Sequence, residues 1–153
     1  MSSPRYLTRQ QYLPSASVSV VLADDVDASR GDVIVPARDA ASVSVATRVD
    51  ANVVWMSDRP LTPARTYLVK HTTRILKARV AAPSARLNFA APSDTGANVP
   101  GSVAPFSLNE IGRTTLQLSG PIVCDAYRAC RTTGAFIMID EASNETVGAG
   151  MIV

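Results

Sequence analysis

With 153 residues, 46% of them hydrophobic and 18% charged, the chain is long enough to enclose one core and too apolar for general disorder. A net charge of +2 is too small to imply nucleic-acid binding by bulk attraction, and no apolar run reaches the about 20 residues that cross a bilayer as a helix. The first residues, MSSPRYLTRQQYLP, lack the apolar stretch of a signal peptide, so a cytoplasmic location is expected.

Residues 1–14 carry no pattern. From Ser15 to Ala23, Val18, Val20 and Leu22 alternate with Ser17 and Ser19, which predicts a half-buried strand. Asp24–Val35 (DDVDASRGDVIV) reads as a turn with Gly31 at the bend and a second strand at Val33–Val35. Residues 37–47, after Pro36, form an Ala/Ser/Val segment expected to be a linker or a loose strand. Residues 48–153 read as one β-rich domain.

Its first strand is Val49–Met56. Ala51, Val53 and Trp55 alternate there with Asn52, Val54 and Met56, and both sets are largely apolar, which predicts burial on both sides. Pro60 and Pro63 then enforce a loop. Strands follow at Thr66–His71 and Ile75–Val80, joined at Thr72 and Thr73. In the second of these, Leu76, Ala78 and Val80 face one way and Lys77 and Arg79 the other. Ala81–Pro105 holds Pro83, Pro92, Pro100 and Pro105 with little periodicity, and reads as a long surface loop around one candidate strand at Ala85–Ala90. The last strands are Arg113–Leu118, Gly134–Asp140 and Thr146–Val153. In the final one, Val147, Ala149, Met151 and Val153 share a face and Gly148 and Gly150 the other, as suits a closing strand that another backbone approaches. Short strands with proline and glycine punctuation, and no helical stripe beyond about two turns, predict an all-β fold: a small antiparallel β-barrel.

Chemistry-bearing motifs are sparse. Cys124 and Cys130 lie six apart, a spacing of no zinc-ligand pair, and the single histidine, His71, is distant, so neither a metal site nor a nucleophile is expected. Cys124 reads as a buried filler and Cys130 as an exposed thiol. The tripeptide Arg30-Gly31-Asp32 and the sequon Asn144-Glu145-Thr146 read as turn chemistry. The basic cluster Lys70, His71, Arg74, Lys77 and Arg79 spans two strands and could share one surface for an anion, RNA or partner protein; a solvated outer face is the more ordinary reading. No aromatic residues interleave with these charges, so base stacking gains no support. His71 is expected to be a hydrogen-bonded surface residue. The sequence has no GxxxxGK[ST] and no Asn-Lys-x-Asp, and shows no carboxylate pair or Ser/His/Asp arrangement, so no catalytic, cofactor-binding or metal-binding residue is expected within it.

Asp24–Val35, Val49–Leu61 (VDANVVWMSDRPL), Thr66–Val80 (TYLVKHTTRILKARV), Ser107–Ile122 and Asp125–Val153 resemble, in order and wording, the large GTP-binding subunit of bacterial sulfate adenylyltransferase (ATP sulfurylase), including its form fused to adenylylsulfate kinase. The likeness is weakest across Ala81–Pro105. That subunit is similar to a translation elongation factor: a GTPase domain followed by two β-barrels. The resemblance implies that residues 15–36 are the last strands of the second barrel, 37–47 a linker and 48–153 the third barrel. GTP and Mg would belong to the family's GTPase domain, absent here. It further implies the sulfate adenylyltransferase small subunit and the family's own GTPase domain as partners, a fused adenylylsulfate kinase in some members, and a non-catalytic role in coupling GTP hydrolysis to adenylylsulfate synthesis. A tRNA-binding barrel of an elongation factor-like protein is the alternative of another class, and a nonfunctional truncated remnant is a third.

Overall fold

The computed structural model describes residues 19, 21–22, 24–87 and 104–153. Seven strands follow in chain order: β1 (Val45–Trp55), β2 (Thr66–His71), β3 (Arg74–Val80), β4 (Ala85–Arg86), β5 (Ile111–Val123), β6 (Ala135–Ile139) and β7 (Thr146–Ile152). All pairings are antiparallel, in the order β1-β7-β6-β2-β3-β5, and β5 pairs back onto β1, so six strands close into a barrel. The short β4 continues along β5 past the end of β3, after Ala81 and Ser84 have kept the two chains hydrogen-bonded. Closure gives both sides of each barrel strand a hydrogen-bonding partner, the stable solution for a sheet of this size.

Alternation decides what fills the barrel. In β3, Ala78 and Val80 are buried while Lys77 and Arg79 are exposed, as their period of two predicts. In β1, Ala51, Val53 and Trp55 are buried, but Asn52 and Val54 are only half-buried and Met56 is 42% exposed. The expected burial on both sides is corrected: the sheet is a single closed layer, and its outer face here is uncovered among the described residues. In β7 the glycine face points inward. A Cβ on Gly150 would overlap the Phe136 ring, and one on Gly148 would lie 3.0 Å from the Val54 carbonyl and 3.4 Å from the Trp55 ring. The close neighbour is thus mainly a ring at Gly150 and a backbone at Gly148.

The core joins Trp55, Tyr67, Leu61, Phe106, Leu116 and Met138. Burial of each such side chain contributes roughly 1.5–3 kcal/mol. Trp55 and Tyr67 meet edge to face at 5.7 Å. Their polar ends are satisfied by the proline-bounded loop: Trp55 Nε1 donates to the Arg59 carbonyl at 2.7 Å, and the Thr62 N–H donates to the Tyr67 hydroxyl at 3.2 Å. The loop is therefore held from inside the barrel.

The amino-terminal side departs from expectation. Val33, Ile34 and Val35 are 44%, 73% and 36% exposed and join no sheet, so the strand expected there does not form. Among the described residues no neighbouring strand takes up its backbone groups, and three apolar residues do not hold a strand alone. The strand expected at Ser15–Ala23 lies largely outside the described residues. Within the expected linker, Ala37–Ser42 forms a 3-10 helix, and β1 begins at Val45. Of the candidate strand at Ala85–Ala90, only Ala85–Arg86 is a strand, and residues 88–90 are outside the described set.

Candidate functional site

The β2–β3 hairpin carries the whole basic cluster, and strand parity divides it. Tyr67, Val69 and His71 point to one side of β2 and Lys70 to the other. Across the ladder His71 pairs with Arg74, Lys70 with Ile75, Leu68 with Lys77 and Thr66 with Arg79. Lys70, Lys77 and Arg79 therefore share the outer face, while His71 and Arg74 occupy the inward side at the end of the barrel.

His71 is buried, not on the surface as expected. Its Nε2 lies 2.8 Å from the Thr133 carbonyl and donates to it, which fixes the proton on that nitrogen. This bond ties the hairpin to the loop before β6. Arg74 runs its aliphatic stem beside Gly31, where a Cβ would come within 3.0 Å of the Arg74 Cγ. Gly31 makes the predicted bend at φ 102, and Asp32 closes it by accepting the Ser29 N–H at 2.9 Å. The Arg-Gly-Asp tripeptide is thus a local turn packed on the hairpin. Asn144 of the sequon sits in the turn between β6 and β7 at φ 58.

On the outer face Lys77 pairs with Glu141 at 2.5 Å, and both are solvated, so the pair stabilises little. Lys70 has no carboxylate within 4.0 Å among the described residues. It borders an apolar recess of about 500 Å³ lined by residues that include Val54, Tyr127, Ile137, Ala149 and Met151. Sequence reasoning missed this recess. Most of its residues come from β1, β6 and β7, and only the register brings them together.

Two further groups are tuned by their surroundings. The Asp140 carboxylate is held below the usual carboxylate range, chiefly by the Ala142 N–H, which donates to it at 2.8 Å, then by Ser143 and the guanidinium of Arg65 at 2.8 Å. Cys130 is partly exposed, and its thiol pKa is lowered by Thr133, side chain then N–H, and by the Thr132 N–H. The Thr133 hydroxyl donates its hydrogen to Asp125 at 2.5 Å, which leaves the N–H groups as the donors to the thiolate. Cys124 is buried, and desolvation followed by the charge of Asp125 raises its pKa. Among the described residues no group of three or more His, Cys, Asp or Glu is placed to hold a metal ion. No helix there is long and apolar enough to cross a membrane.

The comparisons with known proteins agree with this geometry. The chain is 41% identical over 141 residues to the bifunctional enzyme CysN/CysC of Mycobacterium tuberculosis, covering 92% of this chain and 22% of that protein. It is 40% identical over 136 residues to sulfate adenylyltransferase subunit 1 of Laribacter hongkongensis, covering 89% of this chain and 27% of the relative. The chain thus spans about a quarter of the length of the curated relatives it matches. Among solved structures, Sup35 complexed with GMPPNP superposes with a TM-score of 0.62 at 16% identity, covering 72% of this chain and 26% of that one, a likeness of fold alone. The family described as GTP-eEF1A C-terminal domain-like matches residues 48–153, which are the residues that build the barrel from the fourth residue of β1 onward. The chain belongs to the GTP-eEF1A C-terminal domain-like family.

Proposed function

We propose that the chain is a non-catalytic β-barrel module of a sulfate adenylyltransferase large subunit, serving an assembly that couples GTP hydrolysis to the formation of adenylylsulfate from ATP and sulfate. The observation that carries this reading is the 40% identity across 89% of the chain to sulfate adenylyltransferase subunit 1 of Laribacter hongkongensis. GTP and Mg would be held by the portion of the longer relatives that this chain does not contain, since its own sequence has no phosphate-cradling loop.

The barrel's part in such coupling is mechanical. A closed, hydrogen-bonded layer transmits displacement without deforming, so a neighbour with two nucleotide-dependent arrangements can present two arrangements to a partner through it. Lys70 beside the apolar recess is the basic residue best placed for such a contact, with Lys77 and Arg79 on the same face. His71 and Arg74 serve the hairpin's own packing instead. The partners proposed are the small subunit and the GTPase domain of the same assembly, with a fused adenylylsulfate kinase in some members.

The test is a pull-down of this chain against the sulfate adenylyltransferase small subunit, with isolated GTPase domain added. Retention of either is expected, and its weakening by Lys70→Glu would place the contact at the recess. A folded chain that binds neither would overturn the reading. The tRNA-binding alternative has no specific observation in its favour.

A further inference from the structure

Three outer-face residues stand side by side on neighbouring strands. Arg48 of β1 is opposite Gln117 of β5, and Gln117 is opposite Arg79 of β3. Strands lie roughly 4.8 Å apart, so the two arginine backbones are about 10 Å apart, close enough for both guanidinium groups to reach one object between them. Beside them is a recess of about 340 Å³ walled by Ala64, Val80, Ala81 and Thr115.

The local backbone is irregular at this place. The register of β1 on β5 jumps from Ala46 opposite Ile122 to Arg48 opposite Gln117, and irregularities of this kind re-aim the side chains beside them. The Gln117 amide donates to the Thr47 carbonyl at 3.2 Å, which anchors it and leaves its second N–H free to donate. Neither Arg48 nor Arg79 has a carboxylate within 4.0 Å among the described residues, as is true of most basic side chains there. Asp50 lies two residues along β1 on the same face, and its carboxylate is engaged by the Thr115 hydroxyl at 2.5 Å.

We propose that this recess binds a small tetrahedral oxyanion, the phosphate or sulfate group of a free or esterified anion. The guanidinium forks of Arg48 and Arg79 donate to its oxygens from either side, with the Gln117 amide between them. Guanidinium suits such a group because its planar N–H donors match paired oxygens, and it is more weakly hydrated than ammonium. This site lies apart from the recess at Lys70 and does not depend on the function proposed above.

The experiment follows the arginine Nε–H resonances of the whole chain by NMR as sodium sulfate or sodium phosphate is added. Sodium chloride at matched ionic strength and sodium glutarate are run in parallel. Saturable shifts of Arg48 and Arg79 with sulfate or phosphate are expected, with Arg74 unmoved, and the anion that saturates at lower concentration names the group. In Arg48→Gln/Arg79→Gln, followed at the Gln117 backbone amide, binding is expected to weaken at least tenfold while the melting temperature without anion is unchanged. Both residues are exposed, and Arg79→Gln alone provides a second variant if the double one is perturbed. Shifts that never saturate, equal shifts with chloride or glutarate, or variants that bind as the parent does would each overturn the proposal.

Discussion

Single residues here act through what lies directly against them. Gly150 is the sharpest case, because the Phe136 ring occupies the space a side chain would need. Gly150→Ala is expected to cost about 1–3 kcal/mol in denaturant titration, the range for overpacking a core. Pairing it with Phe136→Leu should recover part of the loss, since the two changes share one space. Asp140 makes a pH prediction with a definite sign. Its folded pKa is depressed, so its stabilisation is present above the ordinary value of about 3.9 and is lost as pH falls through the lower folded value. Asp140→Asn should therefore be less stable than the parent at pH about 7, and the gap should close in acid; a gap that is constant with pH would remove the charge from the account. The two thiols should separate chemically. Cys130, with its lowered pKa and partial exposure, is expected to take up iodoacetamide well before buried Cys124 by mass spectrometry.

At the scale of elements, what could be read in the sequence was parity, and what could not was register. Thr66–His71 has the predicted bounds, and the alternation of Lys77 and Arg79 with Ala78 and Val80 sorts inside from outside correctly. The same parity that buries Tyr67 and Val69 also buries His71, so the signal for its inward position was present in the spacing. By contrast, β5 extends from Ile111 to Val123 through Gly120 and Pro121, residues that read as a terminator when taken alone. Its carboxyl-terminal end is held by pairing with Val45 and Ala46, some 75 residues away, which local propensity does not record. Both outer-face recesses are cross-strand features for the same reason. Lys70 was visible as a charge, but its apolar neighbours on β1, β6 and β7 were not; Arg79 was visible, but Arg48 beyond Gln117 was not. The strand expected at Val33–Val35 shows the converse: an apolar run with no partner strand among the described residues stays outside the sheet.

At the scale of the whole molecule, the barrel is joined mainly by contacts distant in sequence. β7 sits between β1 and β6, and β1 is held on one side by β7 and on the other by β5. Removing residues 146–153 would leave β1 and β6 each with an unpaired edge and open the inner face to water. Such a variant is expected to elute as soluble aggregate or to precipitate, with loss of the parent's circular dichroism; a monomeric, cooperatively melting product would show that closure is dispensable. That position of β7 also imposes a timetable. During synthesis β1 emerges first among the strands, and β7, the stave it must pair with, emerges last, some 90 residues later. At about 5–20 residues per second, β1 waits several seconds on the ribosome with one side unmatched, and no earlier strand can complete the ring in its place. The nascent chain is thus exposed to wrong pairing until β7 has left the ribosome, and pauses before that point would lengthen the exposure.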